Sequence, residues 1–435
     1  MNHVIIVGAG ICGLAIARKL LEVGRRVTLV EARDRIGGRI HTIQGPFSRP
    51  AEAGAEFIHG QQPLTMKLLQ EAGGHEIKRT GNHYRLADGV MHEGDVMDEG
   101  WNSFFAKLGE LKKDVTLESF LQQHFSAPEF ADLRLGVKHF AEGFDIADTH
   151  RVSAMALRDE WSHTDEEDQH HVKGGYHILT DYLEKRVREL GGTILLSSPV
   201  GAIKWKPLSV TVVASGQMID GDEVIITVPL GVLQRGMQVA GQDGFHFSPP
   251  LVRHKRAIDA MGYGGVIKFM FEFREKFWEK SPRQLKDASF IFSDAEVPTW
   301  WTQHPEPTTL ITGWLGGPST LTTNHDANAL FEKAIRSLEY ITKCSGSEIK
   351  SQLRHWHIVN WVTDPFSLGA YSFPTLETNS AVSFLTQPVD ETIYFAGEAF
   401  YDGNSGGTVE AALASAEKVT QKVMAPKHVT RGISH

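Results

Sequence analysis

The six residues Gly8-Ala9-Gly10-Ile11-Cys12-Gly13 follow the β-branched run Val4–Val7 and precede a stretch in which Ile16, Leu20 and Val23 recur at helical spacing up to Gly24. Glycine at these spacings suits phosphate chemistry. Gly8 permits a tight turn, Gly10 admits a pyrophosphate against the backbone, Gly13 lets helix and strand pack closely, and the helix N-terminus turns N–H groups and a positive dipole toward phosphate. Glu31 closes a second apolar strand, Val27–Val30, 18 residues past Gly13, where a carboxylate can accept hydrogen bonds from an adenosine ribose. The alternative is an ordinary βαβ turn. Beyond the acid come Arg33, Arg35, Gly37, Gly38 and Arg39, and guanidinium groups there can fork onto phosphate or form a solvated basic patch. Far downstream, Lys268 falls at the start of the alternating apolar strand Phe269–Phe273. A lysine there is costly unless it is paired or hydrated, or snorkels from the strand end to solvent.

These residues need a scaffold of strand, helix and strand in that order. The chain has 435 residues with 41% hydrophobic and 22% charged content, enough for two domains around large cores. A net charge of -9 argues against a nucleic-acid partner, which needs a clustered positive surface, and tolerates a cationic substrate better than an anionic one. Cys12 and Cys344 are too few for a disulfide framework and lack metal-ligand spacing, so no metal is expected and a cytoplasmic setting is. No apolar run approaches the ~20 residues of a membrane span. The acidic run Asp165–Asp168 reads as a solvated loop more readily than as a cation lure. Residues 116–157 are mainly helical in periodicity and carry little chemistry.

The glycine motif, the acid and Arg35-Ile36-Gly37-Gly38-Arg39 together resemble the opening of the flavin-containing amine oxidase superfamily, with monoamine and polyamine oxidases as its nearest pattern. Ala51-Glu52-Ala53-Gly54-Ala55-Glu56-Phe57-Ile58-His59-Gly60 is similar to the family segment that passes along the flavin ring. That resemblance implies cofactor contacts at Gly54, Ala55, Glu56 and Phe57, and a substrate-side role for His59. Further matches fall at Lys173-Gly174-Gly175, at Pro199-Val200, where the family touches adenine, and at Pro229-Leu230-Gly231-Val232-Leu233. In the family the lysine matching Lys268 holds a water against the reactive flavin nitrogen. Trp361 through Ser372 resembles the flavin-facing segment, so Trp361 would lie near the ring and Tyr371 would wall the substrate cage. Covalent relatives carry cysteine at the position of Ala370, which implies non-covalent FAD. Tyr394 through Glu398 matches the C-terminal motif, giving Gly397 and Glu398, and Asn404 through Glu410 opens an alanine-rich helix, giving Gly407, Thr408 and Val409. Thr408 takes the second cage position, where monoamine oxidases have tyrosine.

The order of these segments implies an α/β fold, a Rossmann-like FAD domain of discontinuous pieces interleaved with an α+β substrate domain. The expected boundaries are 1–65, 172–245 and 385–425 for the FAD domain, 66–171 and 246–384 for the substrate domain, and 426–435 for a loose tail. The implied activity is hydride transfer from an amine α-carbon to FAD, with imine hydrolysis and reoxidation by dioxygen to hydrogen peroxide. A secondary amine or a di- or polyamine is the expected substrate. A flavin desaturase, a porphyrinogen-type oxidase, a lysine demethylase-like enzyme and a non-enzymatic flavoprotein remain alternatives.

Overall fold

The computed structural model describes residues 2–94, 99–162, 169–237, 246–403 and 406–426; the acidic run 165–168, Asn404, Ser405 and the tail from 427 onward lie outside the described residues. Two compact units divide the chain. One draws on 1–38, 179–259 and 380–435, the other on 39–178 and 260–379.

The first unit centres on a five-stranded parallel sheet in the order Thr193–Leu195, Arg26–Val30, His3–Val7, Glu223–Ile226, Ile393–Phe395. His3–Val7, here β1, is buried at every position, as is Glu223–Ile226, which explains why their stretches Val4–Val7 and 224–226 are apolar without alternation. Helix α1 (Ile11–Glu22) follows β1, and β2 is Arg26–Val30. The helix Val409–Met424 packs beside α1, tied by a Lys19–Glu417 ion pair of 2.7 Å. A four-stranded sheet completes the unit, in the order Gln217–Gly221, Ser209–Ala214, Val200–Lys206, His246–Ser248.

The second unit is organised by a seven-stranded sheet in the order Leu353–Asn360, Val266–Phe273, Leu310–Gly316, Thr299–Thr302, Ala288–Ser293, Asn82–Ala87, Val90–Glu93. Phe269–Phe273 was expected to alternate, but the strand runs from Val266 to Phe273 and all eight of its residues are buried. It lies between two antiparallel neighbours, and Phe269, Phe271 and Phe273 enter a core with Trp278 and Trp300. Its two charged members are internally partnered: Glu272 accepts the backbone N–H of Ser48 at 3.0 Å, and Lys268 is described below. A three-stranded sheet sets Phe57–His59 against Gln169–Val172, with Glu76–Lys78 on the other side. The helices Leu117–His124, Ala131–Gly143 and Ala154–Trp161 bear out the helical periodicity of 116–157 and share an aromatic core around Phe104 and Phe120.

The units divide the chain at other points than the expected domain boundaries. Residues 39–65 join the second unit because the segment folds back on itself: Ala53 N donates to His41 O at 2.8 Å, Ala55 N to Arg39 O at 3.1 Å, and Glu52 receives Tyr176 N. Residues 246–259 and 380–384 join the first unit, where the His254 ring meets Phe384 and Phe395.

Candidate active site

The first unit supplies a candidate nucleotide cradle made chiefly of backbone. Gly8 has φ +111°, a conformation that side chains other than glycine rarely adopt. A Cβ on Gly13 would run into the carbonyl oxygen of Gly8, so the close approach of α1 to β1 depends on the missing side chain. Gly37 N donates to Ala9 O at 2.9 Å, and a Cβ on Gly38 would stand 3.5 Å from the Cα of Gly10, so the Gly37-Gly38 turn lies directly over the glycine loop. The N-terminus of α1 at Gly10 carries no side-chain cap. Glu31 accepts Ala9 N at 2.8 Å through one oxygen and Arg33 N at 2.9 Å through the other. A carboxylate offers about four acceptor sites, so capacity for ribose hydroxyls remains. The main chain of Glu31 is pinned in turn by Leu195 O and Ser198 N, which brings the segment leading to Val200 beside it. Arg35 spends its guanidinium on Ile36 O and Gly38 O, shaping the turn.

The C-terminal motif belongs to the same unit. Gly397, at φ +141°, donates its N–H to Ser415 Oγ at 3.1 Å, and Glu398 begins a buried 3₁₀ turn. Thr408 is the N-cap of Val409–Met424, its hydroxyl accepting Ala411 N at 3.1 Å, with Gly407 just before it at φ +72°. These residues fit a dinucleotide: small at each close approach, acidic at the strand end, with two helix N-termini at hand.

The second unit supplies a charged cluster made of side chains. Lys268 is 1% exposed, and its Nζ donates to Glu56 Oε2 at 2.5 Å and to Gly54 O at 3.1 Å. The other oxygen of Glu56 accepts Trp301 Nε1 at 2.9 Å and Gln303 Nε2 at 2.7 Å. Burial alone would raise the Glu56 carboxyl, but the Lys268 charge and these hydrogen bonds outweigh it and hold it below the ordinary value. Lys268 is thus a paired interior cation, and the snorkelling alternative falls. A Cβ on Gly54 would collide with Arg39 O, so this glycine too is fixed by packing. Trp361 is 4% exposed and donates Nε1 to Ala53 O at 3.0 Å, which brings the 361–371 segment against 53–56. Arg39 donates to Ala370 O at 2.6 Å, so it braces that segment. Tyr371 pairs with Gly264 across a two-stranded ribbon and donates its hydroxyl to Phe144 O at 2.6 Å.

His59 faces the rings of Phe57 and Phe144, each at 5.7 Å between centroids, and its Nδ1 is buried without a hydrogen-bond partner. Burial pushes it down to about 4, so its ring is neutral near pH 7. Glu52, quoted in the sequence motif without a role, is pushed up to about 7 by burial and, secondarily, by the Glu56 charge, against the opposing pull of Tyr176 N, Lys268 and Thr42. Sequence reading missed Trp301 and Gln303, which lie 245 and 247 residues from Glu56, and Arg79. Arg79 is 5% exposed, lies 5.0 Å from the Phe57 ring centroid and donates to Thr302 O at 2.8 Å. Among the described residues there is no group of three or more side chains able to hold a metal, and no helix is long and apolar enough to cross a membrane.

A parallel sheet with a glycine cradle and a large mixed-sheet unit bearing a buried lysine are the parts of a two-unit α/β fold suited to a dinucleotide cofactor. Residues 11–424 match the family described as Flavin containing amine oxidoreductase, and the chain belongs to it. Its cofactor is FAD, and the chemistry described for the family is amine oxidoreduction. The chain is 26% identical over 436 residues to mouse lysine-specific histone demethylase 1B, covering 92% of this chain and 50% of that one. It is 26% identical to probable polyamine oxidase 4 of Arabidopsis thaliana, covering 94% and 85%. The chain thus spans about half the length of the demethylases it matches. A solved putrescine oxidase bound to putrescine superposes with a TM-score of 0.81 at 20% identity, covering 98% and 99% of the two chains, a likeness of fold.

Proposed function

We propose that this chain oxidises a secondary amine or a di- or polyamine at the carbon beside nitrogen, in the cytoplasm, and releases hydrogen peroxide. Bound FAD would accept the hydride and pass two electrons to dioxygen; water then splits the imine into carbonyl compound and amine. The observation that carries the reading is the fully buried Lys268, held at Gly54 and Glu56 within the segment that resembles the flavin-lining stretch of the family. Lys268 would present a fixed ammonium to the ring, Trp361 would back it, and the cradle from Gly8 to Gly13 with Glu31 would bind the adenosine and phosphates. We assign Tyr371 and Thr408 to the substrate cage. Tyr371 has its hydroxyl occupied, so it offers a ring face rather than an acid or base. An aromatic face attracts a cation and guides an apolar chain. His59, neutral near pH 7, can meet an amine N–H without repelling it. The polyamine, putrescine and methylated-lysine chemistry named for the similar proteins agrees with such a cage. Cys12 and Cys344 form no disulfide among the described residues, which suits a reducing compartment.

The test is peroxide release and anaerobic flavin bleaching across mono-, di- and polyamines, N-methylated amines and amino acids. Turnover of a secondary amine or polyamine above phenylethylamine is expected; the reverse order removes the cage argument. Bleaching by a polyene or porphyrinogen alone would redirect the reading to a desaturase or porphyrinogen oxidase. Because Ala370 offers no thiol, acid precipitation should leave yellow cofactor in the supernatant, and flavin pelleting with the protein would contradict non-covalent attachment.

A further inference from the structure

We propose that Glu56 is a positioning residue that neutralises Lys268 and thereby holds down the affinity of the bound flavin for electrons; this rests on the reading of Lys268 as a flavin-facing group. An ammonium has three N–H donors. One goes to Glu56 Oε2, one to Gly54 O, and among the described residues the third has no partner. The bonds to Gly54 and Glu56 fix where that third donor points. Glu56 cannot swing away, because Trp301 Nε1 and Gln303 Nε2 occupy its other oxygen and the carboxylate is buried. Lys268 Nζ also stands 5.3 Å from the centroid of the Trp301 ring, so the same indole braces both members of the pair.

The electrostatic consequence follows from charge count. Two opposite unit charges 2.5 Å apart act at a distance nearly as a dipole, whereas a lone buried ammonium acts as a full positive charge in a weakly screening interior. Whatever anionic character a bound flavin gains on reduction is stabilised less by the pair than by the free cation. The other charges near the pair do not replace Glu56. Glu52 is drawn toward its neutral form near pH 7, and Arg79 adds positive charge.

The experiment uses the flavin-loaded full chain. Sulfite, which adds to flavin as an anion and bleaches it, is titrated into wild type, Glu56→Gln, Lys268→Met and the double variant, and midpoint potentials are measured alongside. Glu56→Gln should bind sulfite roughly tenfold more tightly, with a potential higher by about 30 mV for a two-electron couple. In the Lys268→Met background the same change should have little effect, because a buried carboxylate deprived of its ammonium partner takes up a proton and is already neutral. An equal shift in both backgrounds, or none in either, overturns the proposal. If Glu56→Gln does not fold, Glu56→Asp, which draws the charge back from Nζ, must shift both readouts in the same direction by less, and a null result there also overturns it. A wild type that takes up no flavin would sink the functional reading itself, an outcome distinct from flavin-loaded protein that is indifferent to residue 56.

Discussion

At the nucleotide cradle the polar groups are mostly backbone amides, and the defining side chains are the ones absent, at Gly8, Gly13 and Gly38. At Lys268 the backbone contributes one carbonyl, from Gly54, and the rest is side chains drawn from three separated stretches around Glu56, Lys268 and Trp301–Gln303. The cradle has little softness, since a Cβ on Gly13 meets main chain and one on Gly8 meets the Thr227 hydroxyl at 2.6 Å in a backbone conformation that side chains rarely adopt, while the cluster is a set of charges whose balance can be altered one member at a time. A defect in the first should remove the cofactor; a defect in the second should leave it bound and change what it does.

The largest effect is expected from Gly13→Ala. The added methyl meets the Gly8 carbonyl oxygen and stands 3.0 Å from Thr227 Oγ1, and neither α1 nor β1 can retreat from a buried parallel sheet. Overpacking of this kind costs about 1–3 kcal/mol where side chains can yield, and more where backbone is struck. Purified protein should be nearly colourless and melt earlier. A yellow variant with wild-type thermal stability would mean that the cradle is softer than its contacts imply.

Lys268→Met tests the other side of the comparison. Flavin content should stay near wild type, while stopped-flow reduction by amine, or reoxidation by dioxygen, slows about tenfold or more, a barrier change of about 1.4 kcal/mol. Loss of flavin together with rate would make Lys268 a structural strut.

The same contrast explains what could be read from the sequence. The cradle occupies one contiguous run, and each glycine answers to a local demand of turn, approach or packing, so the local geometry from Gly8 to Glu31, though not its ligand, was legible from spacing. The parallel sheet was legible for a similar reason, since strands covered on both faces have unbroken apolar runs. Resemblance located Lys268, but its partners were not legible: a glutamate and a lysine 212 residues apart carry no mark of pairing, and neither do Trp301 and Gln303. The unit boundaries were missed because 39–65 follows the nucleotide motif in sequence yet packs through backbone bonds to its own neighbours and to Tyr176. Thr408 was read for its small volume, and its use as a helix cap depends on φ/ψ values that spacing does not reveal.

That cap makes Thr408 a hybrid of the two regions, a side chain spent on backbone. Thr408→Tyr should widen the relative activity toward small aryl-alkyl amines, but it also forfeits a cap whose loss costs about 1 kcal/mol. Thr408→Ser is the control, because it keeps the capping oxygen while enlarging the cage. A profile unchanged by Ser, with Tyr lowering the rate for every amine alike, would trace to the helix end rather than to the cage wall.

The smallest effect concerns Glu52, where the two regions' logic meets in one residue that accepts a backbone amide and titrates in a field of charges. Its carboxyl is pushed from 4.5 up to about 7, first by burial and then by Glu56. A folded value above the unfolded one means that the native state holds a proton the unfolded chain has released. Stability is therefore full below about pH 4.5, declines as pH rises, and has lost the whole contribution once pH passes about 7. Glutamine at 52 keeps an acceptor for the Tyr176 amide, 2.6 Å from Oε1, and has no proton to lose. Denaturant midpoints should place Glu52→Gln level with or below wild type at pH 5 and above it at pH 8, a crossover on the order of 1 kcal/mol. Wild type and variant running parallel from pH 5 to 8 would show that Glu52 ionises freely and that the Lys268 side of the molecule is better hydrated than its burial implies.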